Sequence, residues 1–198
     1  MPNVGEIERL VSYFSRFPGM GSRSALRVVL HLLKRKNTVL RTVISSLSDL
    51  YNNCKVCEIC GNIDVITPCA ICSNKHRDSS TLCVVEGIAD LWTIERAGFY
   101  NGKYHVLGNK LSAVEGITPD DINISGLYNR LAQGDIKEVI MALSADLDGQ
   151  TTLFFIKDKI ENLGVKITTL SQGIPIGSDL EYLDNGTILA AFSQRRGI

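Results

Sequence analysis

Between residues 6 and 17 the apolar side chains Ile7, Leu10, Val11, Phe14 and Phe17 recur at helical spacing and leave a charged opposite face, which predicts a first helix. Pro18-Gly19-Met20-Gly21 stops it, because proline disfavours helical geometry at the residue before it and the two glycines allow a tight backbone path. Ser22 then stands where a second helix needs a cap, with Ala25, Leu26, Val28, Val29, Leu32 and Leu33 as its apolar content. A third helix is predicted over residues 38–51, carrying Val39, Val43, Ile44, Leu47 and Leu50 toward the same small core.

Beyond residue 80 the pattern changes. Short apolar runs at 82–85, 104–107, 138–143 and 165–170 alternate with helical patterns at 88–97, 127–132 and 150–163. Such alternation predicts an α/β sheet, mostly parallel, covered by helices on both faces. The last segment, from residue 172 onward, mixes glycine turns with Leu180, Tyr182, Leu183, Ile188, Leu189 and Phe192. Its partner is open at this point: the sheet, or another subunit.

The stretch between these halves reads CEICGNIDVITPCAIC and follows neither period. It holds two Cys-x-x-Cys pairs, Cys57 with Cys60 and Cys69 with Cys72, and two such pairs supply the four sulfurs of a tetrahedral zinc site. Cys54 offers an alternative first pair with Cys57, but Gly61 directly after Cys60 gives the backbone freedom a metal-wrapping turn needs. Cys83 lies in the apolar run TLCVVE and reads as a core residue, and His76 reads as a loop residue. No apolar leader precedes the cysteines, so the expected location is the cytoplasm, where paired motifs of this kind mean metal more often than disulfide.

With 198 residues and 44% hydrophobic content, the chain is long enough and apolar enough to bury a core, and no apolar run approaches the length that spans a bilayer. The net charge of zero hides an asymmetry. Residues 1–41 carry Arg9, Arg16, Arg23, Arg27, Lys34, Arg35, Lys36 and Arg41 against Glu6 and Glu8, eight positive charges against two. The remaining chain is correspondingly acidic, so one end suits phosphate and the other a basic partner or a cation.

Helix, Pro-Gly-x-Gly turn and helix form the pattern of a helix-hairpin-helix. Gly19 and Gly21 would let backbone N–H groups approach phosphate oxygens at the start of the second helix, and Arg23 and Arg27 share one face beside them. Contacts of this kind read DNA backbone, not sequence. Downstream, Glu86-Gly87 closes the first strand and Asp146-x-Asp148-Gly149 follows the third, so their carboxylates converge at the carboxyl edge of a parallel sheet. Glu86, Asp146 and Asp148 are therefore candidates for Mg²⁺, in the arrangement of the Toprim fold.

These parts in this order resemble the RecR family of bacterial recombination mediators, over nearly the whole chain. The resemblance is carried by FPGMGSRSALR, CAICSNKHRD, LCVVEGIADLWTIE, YHVLGNKLSAVEGITPDDI and QGIPIGSDLEYLD. It implies an α+β chain in four parts: a helix-hairpin-helix at 1–53, a zinc knuckle at 54–78, a Toprim domain at 79–171 and a carboxyl-terminal oligomerisation segment at 172–198. It also implies a DNA repair protein without catalytic activity, forming homodimers or ring-shaped homotetramers and acting with RecO and RecF to load RecA on gapped, coated DNA. Arg23 and Arg27 match the family's DNA contacts, and Glu86 and Asp90 match its contacts for RecO.

The chain departs from the family pattern where a Thr-x-Glu-Gly stretch is usual and Asp146-Leu147-Asp148-Gly149 stands instead. Ala113 and Thr118 replace the usual Pro and Gly of a long loop, and Asn109-Lys110 replaces a smaller segment. The acidic change brings in the rival expectation, a Mg²⁺-dependent Toprim nuclease with Glu86 as general acid or base and Asp146 and Asp148 on the metal. A zinc-stabilised DNA-binding module without an assembly role is the third reading.

Overall fold

The computed structural model describes residues 5–195. The chain divides into two compact units, Met1–Cys54 and Lys55–Ile198; the expected Toprim and tail segments fall in the second, as does the expected knuckle apart from its first residue, Cys54.

In the first unit α1 spans Gly5–Phe14 and ends three residues before its apolar pattern does. The N–H of Phe17 turns back to the carbonyl of Phe14, and the Phe17 ring meets the Phe14 ring edge-on at 5.5 Å between centroids. Pro18 explains the early stop, since the residue before a proline is pushed out of the helical region. Helix α2 spans Ser22–Lys34 and buries Ala25, Val29 and Leu32. Its N-cap is Gly21, in extended geometry, so Ser22 is the first helical residue and not the expected cap.

A π-helical turn at Lys36–Leu40 leads into α3, Arg41–Asn53. The apolar stripe of α3 does not enter a core as expected: Ile44 and Leu47 are each 59% exposed and Leu50 54%. About fifty residues in short helices have too little volume to enclose three apolar stripes, and α2 takes the interior.

The second unit begins with a small antiparallel hairpin, β1 Lys55–Val56 and β2 Ile63–Asp64, which brackets the first cysteine pair. Two-residue strands carry no period, so the sequence pattern did not announce them. The short helix α4, Ala70–Ser73, carries Cys72.

Next come β3 Thr81–Val85, α5 Ile88–Ala97, β4 Lys103–Val106, α6 Ile124–Leu131, β5 Glu138–Ala142, α7 Leu147–Ile160 and β6 Lys166–Thr169. The strands lie in the order β4-β3-β5-β6, and every pairing is parallel. The pleat of β3 sorts its side chains. Leu82 and Val84 join Val139 and Met141 under α6 and α7, where Leu127, Leu131, Ile156 and Ile160 are buried. Cys83 and Val85 face the other way, with Tyr104, Val106 and Ala142 under Leu91 of α5. Each Val, Leu, Ile or Met among them contributes on the order of 1.5–3 kcal/mol when fully buried.

The helix starts that matter for the site are built locally. Asp146 caps α7 by accepting the N–H of Gly149 at 2.8 Å, and a side chain on Gly149 would stand 2.1 Å from the carbonyl oxygen of Ser144. Glycine is required there. Asp90 accepts the N–H of Gly87 at 2.9 Å, which sets the entry to α5. The tail ends in α8, Asn185–Ser193, capped by Asp184. Leu180, Tyr182, Leu189 and Phe192 remain exposed while Leu183 and Ile188 are half-buried, so most of the tail's large apolar side chains are left uncovered.

One buried group makes the fold sensitive to acid. His105 on β4 is fully buried; its Nε2–H donates to the Asn123 carbonyl at 2.7 Å, while Nδ1 has no partner. Burial pushes it down from 6.5 to about 4, with the Arg130 charge adding to the effect. Between those two values the unfolded chain binds a proton that the folded chain does not, so stability falls as pH falls through this window. The full loss is about 3 kcal/mol. Melting curves at pH 7.5 and pH 5 should show the loss, and His105→Gln should flatten the dependence while lowering stability at pH 7.5. An equally steep dependence in the variant would assign it to other groups.

Candidate metal centre and nucleic-acid interface

The sulfurs of Cys57, Cys60, Cys69 and Cys72 all lie within 4.8 Å of one another, and the first three are buried. Four sulfurs bound to zinc at about 2.3 Å stand about 3.8 Å apart, and Cys60 Sγ and Cys69 Sγ are 3.6 Å apart. The donor set and its spacing fit zinc. Gly61 adopts φ +79°, the left-handed turn expected after the first pair, and its N–H donates to the Cys57 carbonyl at 2.9 Å. The second pair is tied back by the Cys69 N–H, which donates to Cys57 Sγ at 3.3 Å. Asp64 was not foreseen; it accepts the N–H groups of Val65 at 2.7 Å and Ala70 at 2.8 Å and so holds the loop between the pairs.

Electrostatics agree with the donor set. Burial pushes the Cys57 thiol up, but the N–H groups of Cys69, Cys60 and Ile59 outweigh it and bring the thiol down to about 7. For Cys60 the hydrogen bond with Cys72, together with burial, pushes the thiol well up, and burial also raises Cys69. Sulfurs this close resist ionising together unless a cation sits among them. Cys54, the alternative ligand, caps the end of α3 outside the group, Cys83 is a buried strand residue, and His76 lies on an exposed loop.

At the carboxyl edge of the sheet the acids meet protein groups. Glu86 Oε1 accepts from the N–H of Ser144 at 2.5 Å and from its hydroxyl at 2.6 Å. Asp146 is paired with the ammonium of Lys110, which also lies 4.0 Å from Glu86 Oε2 and 3.1 Å from Ser144 Oγ. Lys110 holds the Asp146 carboxyl down to about 2, helped by the Gly149 N–H. In return, Asp146 pushes the Lys110 ammonium up. Asp148 lies in the first turn of α7. Among the described residues the four cysteines are the only cluster of metal-ligand type, and Glu86, Asp146 and Asp148 do not form a second one. Lys110 and Ser144 are the residues at this edge that motif reading missed. The one signal was that Lys110 departs from the family pattern.

In the first unit Gly19 has φ +75°, a conformation suited to glycine, and open space where a side chain would stand. Gly21 has an ordinary φ but the same open space. Helix α2 receives no side-chain cap at its start, so its first N–H groups are left for an external acceptor. Arg23 and Arg27 are both exposed, one turn apart beside that end.

Comparison with known proteins divides the chain in the same order. Residues 7–50 match the family defined as RecR, helix-hairpin-helix, and residues 55–74 the RecR zinc finger domain with four cysteine ligands. Residues 80–171 match the Toprim domain, and residues 173–196 the RecR C-terminal family. The recombination protein RecR of Parvibaculum lavamentivorans is 48% identical over 191 residues, 96% of each chain. That of Rhizobium etli is 46% identical over 190 residues, and that of Brucella suis 48% over 190 residues; each alignment covers 96% of this chain and 94% of the relative. With identity at this level across nearly the full length, and with the four-cysteine cluster and parallel sheet in place, the chain belongs to the RecR family of recombination proteins.

Proposed function

We propose that the protein is a non-catalytic DNA-binding mediator of recombination and repair in the cytoplasm, assembling as a homodimer or a homotetrameric ring. In this reading it acts with RecO and RecF to load RecA on gapped DNA coated by single-strand binding protein. The hairpin of Gly19 and Gly21 with Arg23 and Arg27 meets the DNA backbone, and Cys57, Cys60, Cys69 and Cys72 hold a structural zinc. Glu86 and Asp90 face RecO. They border a groove of about 290 Å³ floored by Ile94, Ala142 and Leu143, and its acidic rim over an apolar floor suits a basic partner.

The observation that carries the non-catalytic reading is Lys110. Its ammonium pairs with Asp146 and approaches Glu86, where a metal-dependent Toprim nuclease needs free carboxylate oxygens for Mg²⁺. A metal would have to displace this tethered charge.

Light scattering on the purified protein, with the same sample assayed against gapped DNA in Mg²⁺, tests the proposal. We expect two or four times the chain mass of 21.7 kDa and intact DNA. A monomer that cuts DNA, with cutting abolished by Asp146→Ala, would make this chain a nuclease.

A further inference from the structure

The cysteine cluster is held from outside by the sheet. Lys103, the first residue of the edge strand β4, donates from its Nζ to the carbonyl oxygens of Ile71 at 2.9 Å, Cys72 at 3.0 Å and Asn74 at 2.8 Å. An ammonium has three donors, and three carbonyls at the end of the Cys72 helix take them all. At the other end of β4 the Val106 N–H donates to the Cys60 carbonyl at 2.8 Å. On α5 the Trp92 indole N–H donates to Asn62 Oδ1 at 2.9 Å, and the Asn62 carbonyl accepts the Cys57 N–H at 2.7 Å. The first cysteine pair is therefore gripped by Val106 and Trp92, and the second by Lys103.

We propose that Lys103 is a positioning residue for the metal centre. It fixes the Cys69–Cys72 half before metal arrives and sets a positive charge on the backbone of a ligand residue, against the excess negative charge of four thiolates on one divalent ion. The assignment rests on reading the four cysteines as a zinc site. No motif marks it, because Lys103 lies more than thirty residues from Cys72 in the chain and reaches the cluster only through strand order.

The test compares the full-length wild-type protein with Lys103→Met and Lys103→Arg. Zinc affinity is read by competition with a chromogenic chelator, and Trp92, the sole tryptophan, reports by fluorescence whether the cluster stays docked on α5. Wild type should hold one zinc per chain. Lys103→Met should bind zinc about 10–100-fold more weakly, the usual effect of losing an outer partner of a metal ligand. Its Trp92 emission should shift at correspondingly lower chelator. Lys103→Arg keeps the charge but spreads its donors in a flat fork, so its affinity should fall between the two.

A residue with only a structural role would lower the melting temperature of zinc-loaded and chelated protein alike. The proposal requires the gap between those two temperatures to shrink in Lys103→Met. Wild-type affinity in Lys103→Met overturns the assignment alone, whereas a wild-type protein that binds no zinc overturns the zinc reading and the assignment with it. Should the methionine variant fail to fold, Lys103→Arg decides: weakened binding supports the role and wild-type binding removes it.

Discussion

Cys60→Ala is expected to yield protein without zinc and with the hairpin of the first cysteine pair, from Lys55 to Asp64, unfolded. Cys60 is fully buried, its sulfur lies 3.6 Å from that of Cys69, and its carbonyl anchors the N–H of Val106 on the sheet edge. With three thiolates the tetrahedron is incomplete, and the cysteine-bearing segment has little regular structure of its own, since its strands have two residues each and its helix four. Binding of a structural zinc is worth about 10–16 kcal/mol in isolated modules, as large as the whole stability of an ordinary domain at about 5–15 kcal/mol. Metal analysis should fall from one zinc per chain to nearly none, and the Trp92 emission should move as its Asn62 partner is lost. The matched control is Cys54→Ala, which removes a cysteine outside the cluster and should keep its zinc. A stable, zinc-free Cys60→Ala protein of normal shape would refute the site.

The parts of this molecule that were legible in its sequence are those where one local rule acts alone. The strand at 81–85 and the helix at 88–97 were read nearly to the residue, because a continuous apolar run and a glycine at each helix boundary leave one option. The two Cys-x-x-Cys pairs declared themselves by spacing, and Gly61 by its place after the second ligand. What stayed hidden depends on which strands become neighbours. Lys110 meets Asp146 across 36 residues, Ser144 meets Glu86 across 58, and Lys103 reaches Cys72 across 31. None of these pairs has a period or a motif.

The reading of α3 failed for a different reason. Its spacing correctly gave an amphipathic helix, but periodicity tells which side is apolar and not whether enough chain exists to cover it. The Ser22 cap failed by one position, since a glycine in extended geometry serves as N-cap and leaves the first N–H groups open. That miss falls where the hairpin is expected to meet phosphate.

Arg23→Ala combined with Arg27→Ala is expected to weaken DNA binding by about 100-fold at low salt, as each charged hydrogen bond to phosphate is worth about 1.5 kcal/mol or more. The effect should be the same for unrelated sequences, because these contacts read backbone. Salt dependence separates this mechanism from a general loss of fold: each phosphate contact adds about 0.9 to the slope of log affinity against log salt on duplex DNA and about 0.7 on single strands. The double variant should therefore lose about 1.8 or 1.4 from that slope, measured by fluorescence anisotropy over a salt series. Both side chains are exposed, and the buried face of α2 consists of Ala25, Val29 and Leu32, so the circular dichroism spectrum and zinc content should be unchanged. Binding and slope equal to wild type would take the hairpin out of the DNA interface, leaving the other basic residues of the first 41 to account for any affinity that remains.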